Sequence, residues 1–230
     1  MVDAIFYIAQ TGCQWWLLPK DFPPYTTVQR YFYRWRDDGT WRRINHDLVM
    51  LAREAMGREA SPSAGVIDSQ SVKTTEAGGP RGFDAGKKIK GRKRHVLTDT
   101  AGLLIAAIVH EASIQDRDGA PALLRAIRYA FPWLRHVFAD TAYTGGKFAA
   151  ALARLGDWTI EIVKRSAAAT GFTLLPRRWV PGSSPRTERT LAWLNRNRRL
   201  AKDFEASIAS AAVWLLIASV KLLSRRIARA

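Results

Sequence analysis

Apolar positions recur at helical spacing through residues 1 to 60. Val2 to Thr11 predicts a short helix that Gly12 stops. Pro19, Pro23 and Pro24 stiffen the following loop, and Thr26 or Thr27 can cap a second helix. There Val28, Tyr31, Phe32 and Trp35 share one face, with Arg30, Arg34 and Arg36 off it. Gly39 ends that helix, and Thr40 caps a third with an apolar stripe of Trp41, Ile44, Leu48, Leu51 and Ala55. Arginines beside an aromatic core suit either a DNA-docking module of the helix-turn-helix kind or a plain core with solvated cations. Glu59 to Ala64 reads as a linker, which assigns residues 1–60 to a small helical module and 61–230 to a second domain.

After the linker the pattern becomes mixed. Val66–Ile67 and Ser71–Lys73 flank Asp68 in a strand that is expected to run out there. Arg81 to Arg94 reads as a basic loop punctuated by glycine. Arg94–Thr98 and Leu103–Val109 form two strands of a hairpin about Thr98–Gly102. Asp118 starts a helix to Ala130, Val137–Ala139 is a buried strand leading into Asp140, and Lys147–Leu155 is a helix. Thr159–Lys164 is a further strand, followed by helices over about 187–204 and 206–227. The order predicts an α/β fold, a mixed sheet flanked by helices. In such sheets, sites form where adjacent strands end and their connections diverge.

Composition adds a partner. The 230 residues carry a formal charge of +16, and the excess is clustered, which points to phosphate. One cluster holds Arg81, Lys87, Lys88, Lys90, Arg92, Lys93 and Arg94; another holds Arg177, Arg178, Arg186, Arg189, Arg196, Arg198, Arg199 and Lys202. Neutralising several phosphates gives salt-sensitive, largely sequence-independent binding. The single cysteine, Cys13, excludes an internal disulfide and fits a reducing cytoplasm. No secretory signal is read at the N-terminus. The apolar run Ile208–Leu223 ends in Lys221 and Arg225 and reads as a buried helix, so no membrane partner is expected.

Against this basic background, Asp68, Asp140 and Glu188 stand out. Strand-end and helix carboxylates can converge on hard divalent ions, which prefer oxygen ligands and need no Cys/His cluster. None of His46, His95, His110 and His136 has zinc-ligand spacing with cysteine. Each acid also has a local reading: Asp68 and Asp140 as turn caps, and Glu188 as one acid on a solvated helical face whose buried side carries Trp193, Asn197, Leu200 and Phe204.

The motifs, taken together, resemble those of bacterial insertion-sequence transposases of the DDE type, in the insertion-sequence-five family. They are Thr11–Trp15, Leu18–Pro24 and Trp35–Trp41; Ile67–Lys73; Gly86–His95; Gln115–Ala120; Ala139–Tyr143; and Glu188–Trp193 with Arg198–Asp203. The resemblance implies a ribonuclease-H-like domain preceded by a helical module. It implies that Asp68, Asp140 and Glu188 are catalytic and bind Mg²⁺ or Mn²⁺, two ions in all. It also implies cleavage at transposon ends and strand transfer of the freed 3′ hydroxyl. The implied partners are double-stranded DNA, as terminal inverted repeats and target, and further copies of the chain in a multimer. The implied location is the cytoplasm, at the nucleoid. Lys73, Lys87, Lys88, Lys90, Arg92, Lys93, Arg94, Arg196, Arg199 and Lys202 are the expected DNA contacts. Other readings are an inactive copy that only binds DNA and a nuclease that cuts without joining.

Two features depart from the family pattern. Relatives usually have more chain before the first helix, which suggests a lost start. Pro181–Thr187 stands where relatives run almost directly into the glutamate motif, so that Ser184 and Pro185 start a helix and put Glu188 in its first turn.

Overall fold

The computed structural model describes residues 1–163 and 185–229, and for 185–188 the backbone alone. Three helices open the chain: α1 (Val2–Thr11), α2 (Tyr25–Asp37) and α3 (Thr40–Glu54). Gly12 ends α1 at φ 70°, in the left-handed region where glycine carries no Cβ penalty. The stripe of α3 is rotated from the expected one. Trp41, Asn45, Val49, Ala52 and Arg53 are buried, while Leu51 is half exposed. Two polar side chains turn inward because partners await them. Asn45 donates to the Leu104 carbonyl (2.9 Å), and Arg53 pairs with Asp99.

The sheet contains β1 (Ala64–Lys73), β2 (Gly82–Asp84), β3 (Ile89–Asp99), β4 (Leu104–Glu111), β5 (His136–Ala139) and β6 (Thr159–Ile162). β3 is antiparallel to β1, β2 and β4; β1 is parallel to β5, and β5 to β6. The remaining helices are α4 (Asp116–Ile127), α5 (Gly146–Ala153), α6 (Pro185–Leu194) and α7 (Ile208–Ile227). The expected mixed sheet with flanking helices is therefore present, with three differences. Asp68 does not end its strand, since β1 runs five residues past it to Lys73. The supposed basic loop contains β2 and the start of β3. The helix expected over 187–204 stops at Leu194, where the Asn197 side chain donates to the Leu194 carbonyl (2.9 Å) and terminates it. In consequence Leu191 and Leu194 are buried, and Phe204 is partly exposed.

Strand alternation sorts side chains onto two faces. Val96 packs in a core with α1, α2, α6 and α7, in which Phe32 stacks on Trp214 (4.7 Å between centroids). Ile67 and Leu97 pack on the other face with α4 and α5. The N-terminal helices thus share a core with α7. That helix is long and apolar enough to cross a membrane, but 67% of its most apolar window is buried inside the protein. It is a core helix, as its sequence suggested.

Candidate active site

Parallel pairing of β1 with β5 matches Ala64 with His136, Gly65 with Val137 and Val66 with Phe138. Two residues beyond the last pair come Asp68, still within β1, and Asp140, just past the end of β5. Asp140 keeps an extended backbone (φ −82°, ψ −179°) although β5 has just ended. Alternation directs both residues to the face covered by α6 and α7. The side chain of Asp68 is half buried and that of Asp140 exposed. Asp68 Oδ1 accepts from the Ser69 amide (2.7 Å) and Asp140 Oδ1 from the Ala142 amide (2.9 Å). The capping role foreseen for Asp140 is therefore real, whereas Asp68 lies in mid-strand and caps no turn, its bond being to the next amide of β1.

Glu188 lies in the first turn of α6, because that helix does begin at Pro185. Its side chain is outside the described residues, as are residues 181–184 of the inserted segment, Arg177 and Arg178, and the Arg186 side chain. α6 is tied down at two points. Thr190 donates to the Gly102 carbonyl (2.7 Å), in the turn beside Asp99, the residue paired with Gly65. Asn195 donates to Gln70 Oε1 (3.5 Å). Among the described residues no group of three or more His, Cys, Asp or Glu side chains forms a metal site. Asp68 and Asp140 alone nonetheless suit Mg²⁺, which is commonly held by one or two carboxylates and completes its shell with water and substrate phosphate.

On the opposite face lies a buried polar cluster that the sequence reading left without a role. Ser69 pairs across to His95, and both face α4. Tyr143, 1% exposed, closes the turn that begins at Asp140, and its hydroxyl lies 3.4 Å from His95 Nδ1. Burial, and then the fields of Asp116, Asp68 and Asp140, push the Tyr143 phenol well above its usual pKa; a hydrogen bond with Ser69 opposes the shift. Burial pushes His95 down to about 3, helped by His110, so the imidazole is neutral. For Asp116 burial alone raises the pKa, but the hydrogen bond and charge of Lys93 (2.7 Å) outweigh it and hold the carboxyl below its usual value. The only sequence signal for this cluster is that its members sit inside motif segments. Ser69 adjoins Asp68, His95 ends Gly86–His95, and Tyr143 ends Ala139–Tyr143.

The basic residues separate into two groups. Lys73, Lys87, Lys88, Lys90, Arg196 and Lys202 are exposed. Arg92, Lys93 and Arg94 do not join them, being buried within β3. Arg92 pairs with Asp203 (3.1 Å) and donates to the carbonyls of Pro80 (2.8 Å) and Glu205 (2.7 Å). Arg94 donates to the Leu200 carbonyl (2.8 Å), and burial lowers its pKa to about 10, which leaves it charged at neutral pH. Lys93 donates to the Ile114 carbonyl (2.8 Å). Arg199, nearly buried, pairs with Glu205 (2.6 Å) and lies over the Trp214 ring (5.4 Å). These four cations hold the fold together, and in the described conformation none of them lines an open surface.

Comparison with known proteins gives a family. Residues 59–223 match the family model described as "Transposase DDE domain", and residues 1–45 match the one described as "Putative transposase of IS4/5 family". A 54-residue stretch is 37% identical to "Uncharacterized protein y4sN" of Sinorhizobium fredii (strain NBRC 101917 / NGR234). That stretch is 24% of this chain and 41% of the relative, so the chain spans less than half the length of the curated relative it matches.

Proposed function

The chain belongs to the transposase DDE-domain family, and from that premise we propose that it cuts DNA at transposon ends and joins the freed 3′ hydroxyl to target DNA. The observation that carries the reading is the parallel pairing of β1 with β5, which supports a common position for Asp68, two residues past the last pair, and Asp140, just past the end of β5. Two hard carboxylates on a strongly basic surface are suited to phosphodiester chemistry. A ribonuclease-H-like architecture is supported by the central run β4-β3-β1-β5-β6, antiparallel on one side of β1 and parallel on the other.

Asp68 and Asp140 would hold the divalent ion, with Glu188 as a third ligand brought by α6. When bound, a pair of such ions supplies polarisation of the scissile phosphate and an activated attacking oxygen. The chain's own residues do the rest. The amides of Ser69 and Ala142 fix the carboxylate orientations. Lys73, Lys88, Lys90, Arg196 and Lys202 offer exposed charge for the DNA backbone. The helical module at residues 1–60 presents Arg30 and Arg34 to solvent, which suits a second contact with the duplex. The substrates are the element's terminal repeats and target DNA, handled by a homo-oligomer at the nucleoid.

A second reading, DNA binding without catalysis, is favoured by one observation. The helix carrying Glu188 is pinned at Thr190 beside the start of β1 rather than level with Asp68. Asp140→Asn decides between the two. Under the catalytic reading, Mg²⁺-dependent cleavage of terminal DNA is lost while salt-sensitive DNA binding stays within twofold (about 0.4 kcal/mol). Equal cleavage by the variant and the native protein refutes the carboxylate assignment. A duplex with pre-cut 3′ ends tests joining separately and distinguishes a transposase from a nuclease.

A further inference from the structure

We propose that Tyr143 is a positioning residue for the Asp68–Asp140 pair, its hydroxyl tying the turn that begins at Asp140 to His95 on β3, the strand that pairs with β1 at Asp68. This rests on the metal-dependent reading above, and it adds a residue that reading does not need.

The argument begins with a mismatch in lengths. β1 pairs with β5 only as far as Val66–Phe138, so no ladder bond is formed between the two strands at the level of Asp68 and Asp140. Beyond Ala139 the chain leaves the sheet through a short 3₁₀ turn, Thr141–Tyr143. A further contact there can fix the separation of the carboxylates, and a shift of an ångström between ligands costs much of a metal site's value. The Tyr143 hydroxyl is placed to do so. It lies 3.4 Å from His95 Nδ1 on β3, and His95 is the cross-strand partner of Ser69, the residue after Asp68 on β1. The ring is 1% exposed and packs near Phe148 (6.2 Å) and edge-on to His95 (6.0 Å), so the hydroxyl has little freedom to swing away.

The partners are themselves held. Lys87 Nζ donates to the Ser69 carbonyl (3.0 Å). Asp116 opens α4 and is gripped by Lys93, which also donates to the Ile114 carbonyl (2.8 Å). His95 is wholly buried beside His110 (4.7 Å between ring centroids). Gly119 leaves room for this pair, since a Cβ there would meet His110 Nε2 at 2.5 Å and His95 Nε2 at 2.9 Å. His95, the partner of the phenol, is thus fixed by neighbours on β4 and α4. Groups that orient metal ligands from behind typically matter 10- to 100-fold for affinity or activity.

Tyr143→Phe removes the hydroxyl and keeps the ring. Mn²⁺ binding to the whole protein is measured by the loss of the free-ion electron paramagnetic resonance signal, beside Mg²⁺-dependent cleavage, with Asp140→Asn as reference. The expected result is Mn²⁺ affinity or cleavage down by about 10-fold or more, with the thermal midpoint and DNA affinity nearly unchanged. His95→Leu is expected to give a similar loss, and the double variant no more than the larger single effect, because both act through the Tyr143–His95 contact. Unchanged Mn²⁺ affinity and cleavage in Tyr143→Phe overturn the proposal, even where stability falls. If native protein binds no Mn²⁺ that Asp140→Asn abolishes, the metal reading fails first and the positioning role falls with it.

Discussion

Arg92 gives the sharpest test of the fold, since its place in a basic cluster and its place in the structure predict opposite outcomes. Its side chain is fully buried. It meets Asp203, itself 2% exposed, at 3.1 Å and donates to the carbonyls of Pro80, Glu205 and Ala206. Arg92→Met keeps most of the volume and removes the charge. It leaves the Asp203 carboxylate buried with the Glu205 amide (3.0 Å) as its remaining hydrogen-bond donor, and strands several carbonyls. Removing one partner of a buried ion pair costs about 3–5 kcal/mol. With a urea slope of about 3 kcal/mol/M, the unfolding midpoint should fall by more than about 1 M. Asp203→Asn added to Arg92→Met should recover part of that loss, because the uncompensated charge is gone. A phosphate-contacting Arg92 would behave differently: the midpoint would hold and the salt slope of DNA binding would drop by about one. That second pattern would refute the buried assignment.

Other measurements follow from the same structure. Lys88 and Lys90 are exposed, so changing both to alanine should lower the slope of log K against log salt by about 1.8 and leave the urea midpoint in place. Gly91→Ala would put its Cβ 1.9 Å from the Val72 carbonyl oxygen in the neighbouring strand; it should cost about 3 kcal/mol or more, read as a lowered thermal midpoint. Stability should also fall with acid. The folded pKa of His95 lies near 3, and His110 is likewise lowered by burial. The unfolded chain therefore takes up protons that the native state refuses as pH drops below about 6.5, losing up to about 1.4 kcal/mol per pH unit for each histidine. His95→Gln should flatten the pH dependence of the urea midpoint between pH 6.5 and 5.

The helices were legible because their punctuation is local. Gly12 and Gly39 sit at φ 70° and 74°, as glycine after a helix or before one permits, and the apolar stripe of α2 buries Val28 and Phe32 as its spacing foretold. β3 was misread from the opposite cause. Its run Ile89–Asp99 carries four of the chain's cations, and local polarity reads as solvent exposure. The groups that accept their protons come from afar: Glu205 and Ala206 for Arg92, Leu200 and Lys202 for Arg94. No window of sequence shows these partners. The site divides in the same way. Bringing Asp68 and Asp140 together needs their strands to be neighbours, an assumption the hydrophobic runs around both invite and the parallel pairing of β1 with β5 bears out. The bond from Tyr143 to His95 depends on the register of β1 against β3, which pairs Ser69 with His95; a one-residue slip would turn both to the other face. A cluster of cations therefore reports phosphate binding only after the carbonyls of the fold have taken their share. Here they take Arg92, Lys93 and Arg94, and also the ammonium of Lys87, which donates to the Ser69 carbonyl (3.0 Å), and leave Lys88 and Lys90 exposed. The turn Gly86–Lys88 that precedes β3 is held by Asp84, which accepts from the Lys87 amide (3.0 Å).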